Sequence, residues 1–235
     1  MISKGFIFDP YVVEASATTD ARSAYRALAS AAASYLGEMD AAVANNTLPP
    51  RVAMHTRVRG TGPGVAFGHL IELIQTGLHL DWQSPFEGSN NVSGVELPAR
   101  VVLGEDRDDG FLFLRFAANT QDLTLHIHPL SDRFIYVIGG RGFFHVTDSP
   151  LHDLLCAKFQ HIPARDRDAF MFRKNTVHTF STAAHPLLLL SYHRPFVPLL
   201  DADQYETTEP ALLPKDFLRG VQGNVSFDAA WTLCL

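Results

Sequence analysis

A series of short apolar segments between residues 94 and 193 constrains the fold of this chain more than any other feature. They are rich in Val, Ile, Leu, Phe and Tyr, and turn residues separate them. The segments are residues 94–103, 110–117, 123–128, 133–138, 142–146, 169–172, 178–181 and 187–193. Many short strands at this spacing are typical of a β-sandwich or β-barrel. We therefore predict a mainly β domain over residues 94–198.

The chain before this region has a helical pattern instead. Apolar residues recur at steps of three and four over residues 19–46, which predicts a helix capped by Thr19 or Asp20. A second apolar stripe predicts another helix near residues 64–80. We expect residues 1–93 to form a helical region packed on the barrel, although no motif in it indicates a function.

Composition excludes several classes of protein. The 235 residues carry a formal net charge of -6 without any Lys/Arg run, so nothing indicates a nucleic-acid-binding surface. Two cysteines are too few for a disulfide framework and fit a reducing cytosol. No apolar run is long enough for a signal peptide or a membrane span. We expect a cytoplasmic protein, with residues 199–235 as an extended tail on the outside of the barrel.

The segment from residue 123 to 142 contains two histidines two positions apart. In a β-strand this spacing places His126 and His128 on the same face, with Ile127 facing the opposite side. Two neutral imidazoles side by side favour a site for a divalent transition metal. The alternative is that both are polar residues on a solvated strand face.

This segment, LTLHIHPLSDRFIYVIGGRG, resembles the first conserved motif of the cupin superfamily. That motif consists of HxH, a proline, a short turn, a strand and a glycine turn. The matching residues are His126, His128, Pro129, Tyr136, Val137, Gly140 and Gly142. The resemblance implies a double-stranded β-helix, or jelly-roll barrel, that holds a metal ion. Because cupins are often dimers, it also implies a homodimer.

The second cupin motif has a Pro-x-Gly-x-x-His core, and residues 173–178, RKNTVH, are the candidate for it. An arginine replaces the proline, and Asn175 replaces the glycine. Asparagine tolerates the left-handed conformation that such a turn needs. The resemblance thus implies that His178 is a third metal ligand. Two other glycines of the family pattern are replaced by Thr120 and Arg167.

The position where the family has a glutamate ligand is Arg133, which cannot bind a metal. Three consequences are open. The site holds its metal with three histidines, as in enzymes resembling cysteine dioxygenase; or Asp132 supplies a carboxylate; or the metal is lost and the pocket binds an organic ligand. We favour the first. Arg133 itself could pair with Asp132, clamp a substrate carboxylate, or point to solvent.

Other polar residues of the predicted strands have weaker assignments. His193 ends a late strand that often lines the barrel in this architecture, so it is a candidate pocket residue or a capped strand end. Arg115 could also line the pocket. Tyr136 alternates with Ile135 and Val137 and should face away from the metal. The remaining histidines of this region are expected to be solvated: His145, His152, His161 and His185.

The function predicted from these features is that of a metal-dependent enzyme. A three-histidine Fe(II) dioxygenase acting on a small organic, possibly anionic, substrate fits best, with Arg133 and His193 as catalytic residues. Zn, Ni, Mn or Cu could replace Fe, because imidazole suits several of these ions. A metal-dependent isomerase or cyclase and a non-enzymatic small-molecule-binding cupin remain as alternatives.

Overall fold

The computed structural model describes residues 20–58, 62–77, 82–86, 89–154, 157–209, 211–214 and 231–234. The helices are α1 (Ala21–Ala44), α2 (Gly62–Glu72), which continues as a π-helical turn (Leu73–Gly77), and α3 (Ala99–Val102). The strands are β1 (Ala53–Arg57), β2 (Val92–Pro98), β3 (Gly110–Phe116), β4 (His126–Ile127), β5 (Asp132–Thr147), β6 (Lys158–Arg165), β7 (Asp168–Phe172), β8 (Val177–Ser181), β9 (Leu187–Arg194), β10 (Glu206–Thr207) and β11 (Trp231–Cys234). Thr19, the end of the second predicted helix and about half of the C-terminal extension lie outside the described residues.

The strands form two antiparallel sheets that share β5. One sheet has the order β1-β7-β5-β9-β3-β2 and the other has the order β10-β4-β8-β5-β6-β11. The first half of β5 pairs with β7 and β9, and its second half pairs with β6 and β8. The predicted mainly β, jelly-roll architecture with an N-terminal helix is therefore confirmed.

Alternation along β5 separates an inner from an outer layer. Ile135 and Val137 join the apolar cluster between the two sheets, whereas Phe134 and Tyr136 join the cluster under the helices. The Tyr136 hydroxyl donates a hydrogen bond to the Leu28 carbonyl over 3.0 Å. Tyr136 thus faces away from the barrel interior, as predicted.

Helix α1 lies on the outer side of the first sheet. Its start is capped by Asp20, whose carboxylate accepts a hydrogen bond from the Ser23 backbone over 2.9 Å. Its buried residues recur at helical spacing and share one apolar cluster with Phe134 and Tyr192. The Tyr25 hydroxyl also donates to the Leu97 carbonyl over 2.7 Å. The helix therefore packs directly on the sheet. The domain boundaries predicted at residues 93 and 198 stay predictions.

Several predicted strand bounds differ from those observed. Residues 133–138 and 142–146 belong to the single strand β5. The segment 94–103 leaves the sheet at Pro98 and turns into α3. Strand β6 was missed because its sequence, KFQHIPAR, mixes polar residues with Pro163, which lacks the N–H for a ladder hydrogen bond. None of the described helices is both long and apolar enough to cross a membrane.

Replacing Leu28 with Ala should lower the free energy of unfolding by roughly 2–5 kcal/mol, because a fully buried side chain leaves a cavity. Chemical denaturation followed by circular dichroism measures this change. The matched control is Leu200→Ala, where the side chain is 67% exposed and the loss should stay within roughly 0.5 kcal/mol. Equal losses in the two variants would show that α1 does not belong to the cooperative core.

Candidate metal centre

Three histidines predicted as metal ligands lie together inside the barrel. His126 in β4 is paired in register with His178 in β8, and His128 follows β4 directly. One possible ligand atom from each ring lies within 4.8 Å of the other two. All three side chains are buried, so the alternative of a solvated strand face is wrong. This cluster could hold a divalent metal ion.

Each of these imidazoles has its Nδ1 atom hydrogen-bonded to a backbone carbonyl oxygen. The acceptors are the carbonyls of Thr124 at 2.8 Å from His126, Gln204 at 2.6 Å from His128 and Thr176 at 2.9 Å from His178. A carbonyl can only accept, so Nδ1 carries the proton and Nε2 keeps its lone pair. Such bonds also fix the orientation of the ring. The arrangement fits three neutral Nε2 ligands.

Burial keeps these rings neutral. It lowers the pKa of His126 to about 4, even though the bond to Thr124 opposes that shift. Burial likewise lowers the pKa values of His128 and His178 well below their usual range, and the nearby Arg133 charge adds to the effect. A metal entering this site at neutral pH would therefore not need to displace protons from the imidazoles.

The turn before β8 has the backbone that the second motif requires. Asn175 adopts a left-handed conformation with φ of 64°, as expected for a residue that replaces glycine. Its N–H donates to the His128 carbonyl over 3.0 Å, which ties the turn to the first motif. Arg167, at another family glycine, also has a positive φ of 68°. The two turns thus keep the backbone of the pattern without its glycines.

Arg133 is 1% exposed, so the interpretation that it points to solvent is wrong. It shares the inner face of β5 with Ile135, and its Nη2 donates to the Gln204 side-chain oxygen over 3.0 Å. Its Nε and Nη1 atoms have no hydrogen-bond partner within the described chain. Burial lowers the pKa of Arg133, but a guanidinium remains protonated at neutral pH.

Asp132 is held away from the histidines. One of its carboxylate oxygens accepts a hydrogen bond from the Lys174 backbone over 2.9 Å, and the other lies 3.8 Å from the Arg194 guanidinium. It is absent from the potential metal-binding group that the described residues form. The alternatives in which Asp132 ligates the metal or pairs with Arg133 are therefore not supported by this geometry, because neighbouring residues of a strand face opposite sides.

A small cavity of about 30 Å³ adjoins the three histidines. It is lined by Pro85, Phe86, Leu112, Leu114, Phe116, Leu123, His126, His128, Ile135, His178, Phe180, Ser191, His193, Leu199 and Gln204. The lining includes Leu199 and Gln204, which belong to the segment after β9. This part of the chain closes the cavity, so the expectation of a tail entirely on the outside is wrong.

His193 lies on the wall of this cavity, in register with Arg133 across β5 and β9. Its ring centroid is 6.4 Å from that of His128, and its Nε2 is bonded to the Ser191 hydroxyl at 2.9 Å. Its Nδ1 has no hydrogen-bond partner among the described atoms. The position agrees with the predicted pocket residue, and its catalytic role stays a prediction.

Two predictions about polar residues of the strands were wrong. Arg115 is exposed and lies over the Trp82 ring at 5.0 Å, outside the cavity. His145 and His161, predicted to be solvated, are buried and joined through their Nδ1 atoms at 2.6 Å. His161 was misplaced because it lies on β6, the strand that the pattern missed. His145 lies on β5 and is buried because it pairs in register with His161. His152 and His185 are exposed, as expected.

Gln204 was missed by sequence reasoning, although it contacts both key groups of the site. Its backbone carbonyl accepts from His128 and its side chain accepts from Arg133. Nothing in its local sequence indicates this role, because the contacts arise only when the segment after β9 folds back across the barrel.

The free energy of unfolding of the metal-free protein should fall as the pH is lowered from about 6.5 towards 4. The buried histidines, such as His126 and His161, each with a pKa lowered to about 4 by burial, stay neutral when folded. In the unfolded chain they bind protons below pH ~6.5, at a loss of up to roughly 1.4 kcal/mol per pH unit for each histidine. Denaturation curves at pH 7 and pH 5 measure this.

The exposed His185 offers a control, because its replacement by Ala should leave that pH dependence unchanged. Equal stability of the wild-type protein at pH 7 and pH 5 would contradict the prediction.

No protein-family model matches this sequence, and no curated protein sequence matches it significantly. Solved structures that resemble the chain include a DMSP lyase, at 16% identity and a TM-score of 0.42, covering 55% of this chain and 64% of that one. They also include a cupin-like protein from Thermotoga maritima, at 17% identity and a TM-score of 0.36, covering 49% of this chain and 79% of that one. Oxalate decarboxylase from Lactobacillus farciminis is similar at 17% identity and a TM-score of 0.40, covering 50% of this chain and 32% of that one.

This chain thus spans just under two thirds of the lyase structure and about a third of the decarboxylase. The two shared sheets and the motif that supplies His126 and His128 carry more weight than these distant likenesses. Together with the paired His178, they show that the chain has a jelly-roll fold with a three-histidine cluster inside its barrel.

Proposed function

We propose that this protein is a metal-dependent enzyme, a three-histidine Fe(II) dioxygenase that acts on a small organic substrate. The observation that carries the proposal is the convergence of three buried imidazoles, each with Nδ1 bonded to a carbonyl and Nε2 left for a metal. No carboxylate of the described chain joins them. Bound there, Fe(II) would leave coordination positions open for O₂ and substrate.

The chain's own residues prepare this site in two ways. The backbone carbonyls that accept from the histidine rings fix the ring orientations and keep the ligand set neutral. A neutral set leaves the full charge of the ion uncompensated, which favours an anionic or chelating substrate. The apolar wall, which includes Leu112, Leu114 and Phe180, suits the hydrocarbon part of a substrate.

His193 supplies a polar group on the same wall. Its Nε2 is engaged with Ser191, while Nδ1 has no hydrogen-bond partner among the described atoms. Burial lowers the pKa of His193 well below its usual range, so the ring is neutral at physiological pH. We assign it the role of exchanging a hydrogen bond or a proton with a substrate held in the cavity.

Replacing His126 with Ala should abolish both metal binding and turnover, because two imidazoles do not complete the ligand set. Metal content by mass spectrometry, on untagged protein purified without a nickel column, should give close to one equivalent of iron for the wild type and a small fraction of that for the variant. Oxygen-electrode traces with candidate substrates should show uptake only for the wild type.

The matched control is His185→Ala, which removes an exposed imidazole and should keep both iron and oxygen uptake. Metal binding with turnover but without oxygen uptake would replace the dioxygenase by an isomerase or cyclase. If the protein takes up no metal even under anaerobic reconstitution, the proposal of a metal-dependent enzyme is contradicted, and a small-molecule-binding cupin is favoured.

A further inference from the structure

We propose that Arg133 is an anion anchor and that the site takes a small carboxylic acid with an apolar body. The guanidinium would bind the carboxylate, and the apolar cavity wall would contact the rest of the molecule. The inference rests on the proposed function in so far as both concern the same cavity, but the anchor requires no particular reaction.

The first argument is the missing counter-charge. The Arg133 side chain is a cation with 1% exposure, and its one hydrogen bond to the described residues runs from Nη2 to the neutral Gln204 amide. Its Nε and Nη1 atoms have no hydrogen-bond partner in the described chain. The carboxylate of Asp132 stabilises the charge of Arg133 through space, but it accepts no hydrogen bond from the guanidinium. A buried charge without an anion is strongly disfavoured, and a bound carboxylate would supply one.

The second argument is position. Arg133 does not itself line the cavity, but it lies directly behind the lining: it is in register with His193 and on the same face of β5 as Ile135, and both of these residues line the cavity. Gln204 bonds His128 through its backbone and Arg133 through its side chain, so the guanidinium lies beside the histidine cluster. An anion held there would be adjacent both to the cation and to the three imidazoles.

The chemistry of the cavity narrows the class of ligand. A guanidinium presents its N–H groups as a planar fork that matches a carboxylate. The lining of the cavity is mostly apolar, and its volume of about 30 Å³ restricts the ligand to a small molecule. A short carboxylic acid satisfies both the charge and the size, whereas a bulky or fully polar anion satisfies only the charge.

Gln204 offers an internal test of this assignment. As a neutral amide it holds one nitrogen of Arg133 while leaving the charge uncompensated. Gln204→Glu would place a carboxylate of the chain in contact with the guanidinium, where it would compete with any carboxylate ligand. The substitution is nearly isosteric, so its effect on binding reports charge rather than shape.

The experiment is isothermal titration calorimetry at pH 7, with protein as purified and after removal of metal. The probes are acetate, propionate, the neutral isostere propionamide and inorganic phosphate. We expect propionate to bind the metal-free wild type. The affinity of propionamide should be lower by a factor of roughly 10 or more. Both Arg133→Met and Gln204→Glu should weaken propionate binding by roughly 10- to 100-fold. Arg115→Met, at an exposed arginine outside the cavity, should bind propionate as the wild type does.

Circular dichroism and denaturation curves establish that each variant is folded. If Arg133→Met is not folded, the test uses Gln204→Glu and Arg133→Lys instead. Arg133→Lys keeps the positive charge but lacks the planar guanidinium donors. Propionate affinity that does not depend on Arg133 or Gln204, propionamide binding as tight as propionate, or tighter binding of phosphate would each overturn the anchor. If propionate binding depends on Arg133 but the protein takes up neither iron nor oxygen, only the dioxygenase proposal is refuted. If the protein takes up iron and oxygen but propionate binding does not depend on Arg133, only the anchor proposal is refuted.

Discussion

The architecture depends on one strand that belongs to two sheets. Strand β5 runs from Asp132 to Thr147, and its register shifts between Val137 and Gly139. Gly140 then adopts a φ of 82°, where a Cβ atom would lie 2.0 Å from the Pro186 carbonyl oxygen. Only glycine accommodates this close approach, which lets the second half of the strand turn onto the other sheet.

The metal centre follows from that turn. Before this turn, the side chains of Arg133 and Ile135 on β5 face the barrel interior. After the turn, β5 pairs with β8, which carries His178. Strand β4 then pairs with β8 and places His126 beside His178. The residues of the site therefore come from distant parts of the sequence, and the shared strand sets their spacing.

The interior of the barrel combines neutral ligands with one permanent charge. The histidines tolerate burial because each can be neutral and each donates its Nδ1 proton to a carbonyl. Arg133 has no such neutral form at physiological pH, and Gln204 satisfies only one of its nitrogens. This imbalance distinguishes the site from one in which a glutamate completes the ligand set, and it favours an anion from outside the chain.

The sequence by itself determined the β class, the helical N-terminal pattern and the shared face of His126 and His128, because strand periodicity and the HxH spacing are local properties of the chain. The third histidine, His178, and the left-handed turn at Asn175 were implied by the resemblance to the second cupin motif. Only the tertiary structure decided that Arg133 is buried, that Asp132 is engaged elsewhere and that Gln204 bonds both His128 and Arg133. These facts depend on contacts between residues from 42 to 76 positions apart in the sequence, and no local pattern encodes such contacts.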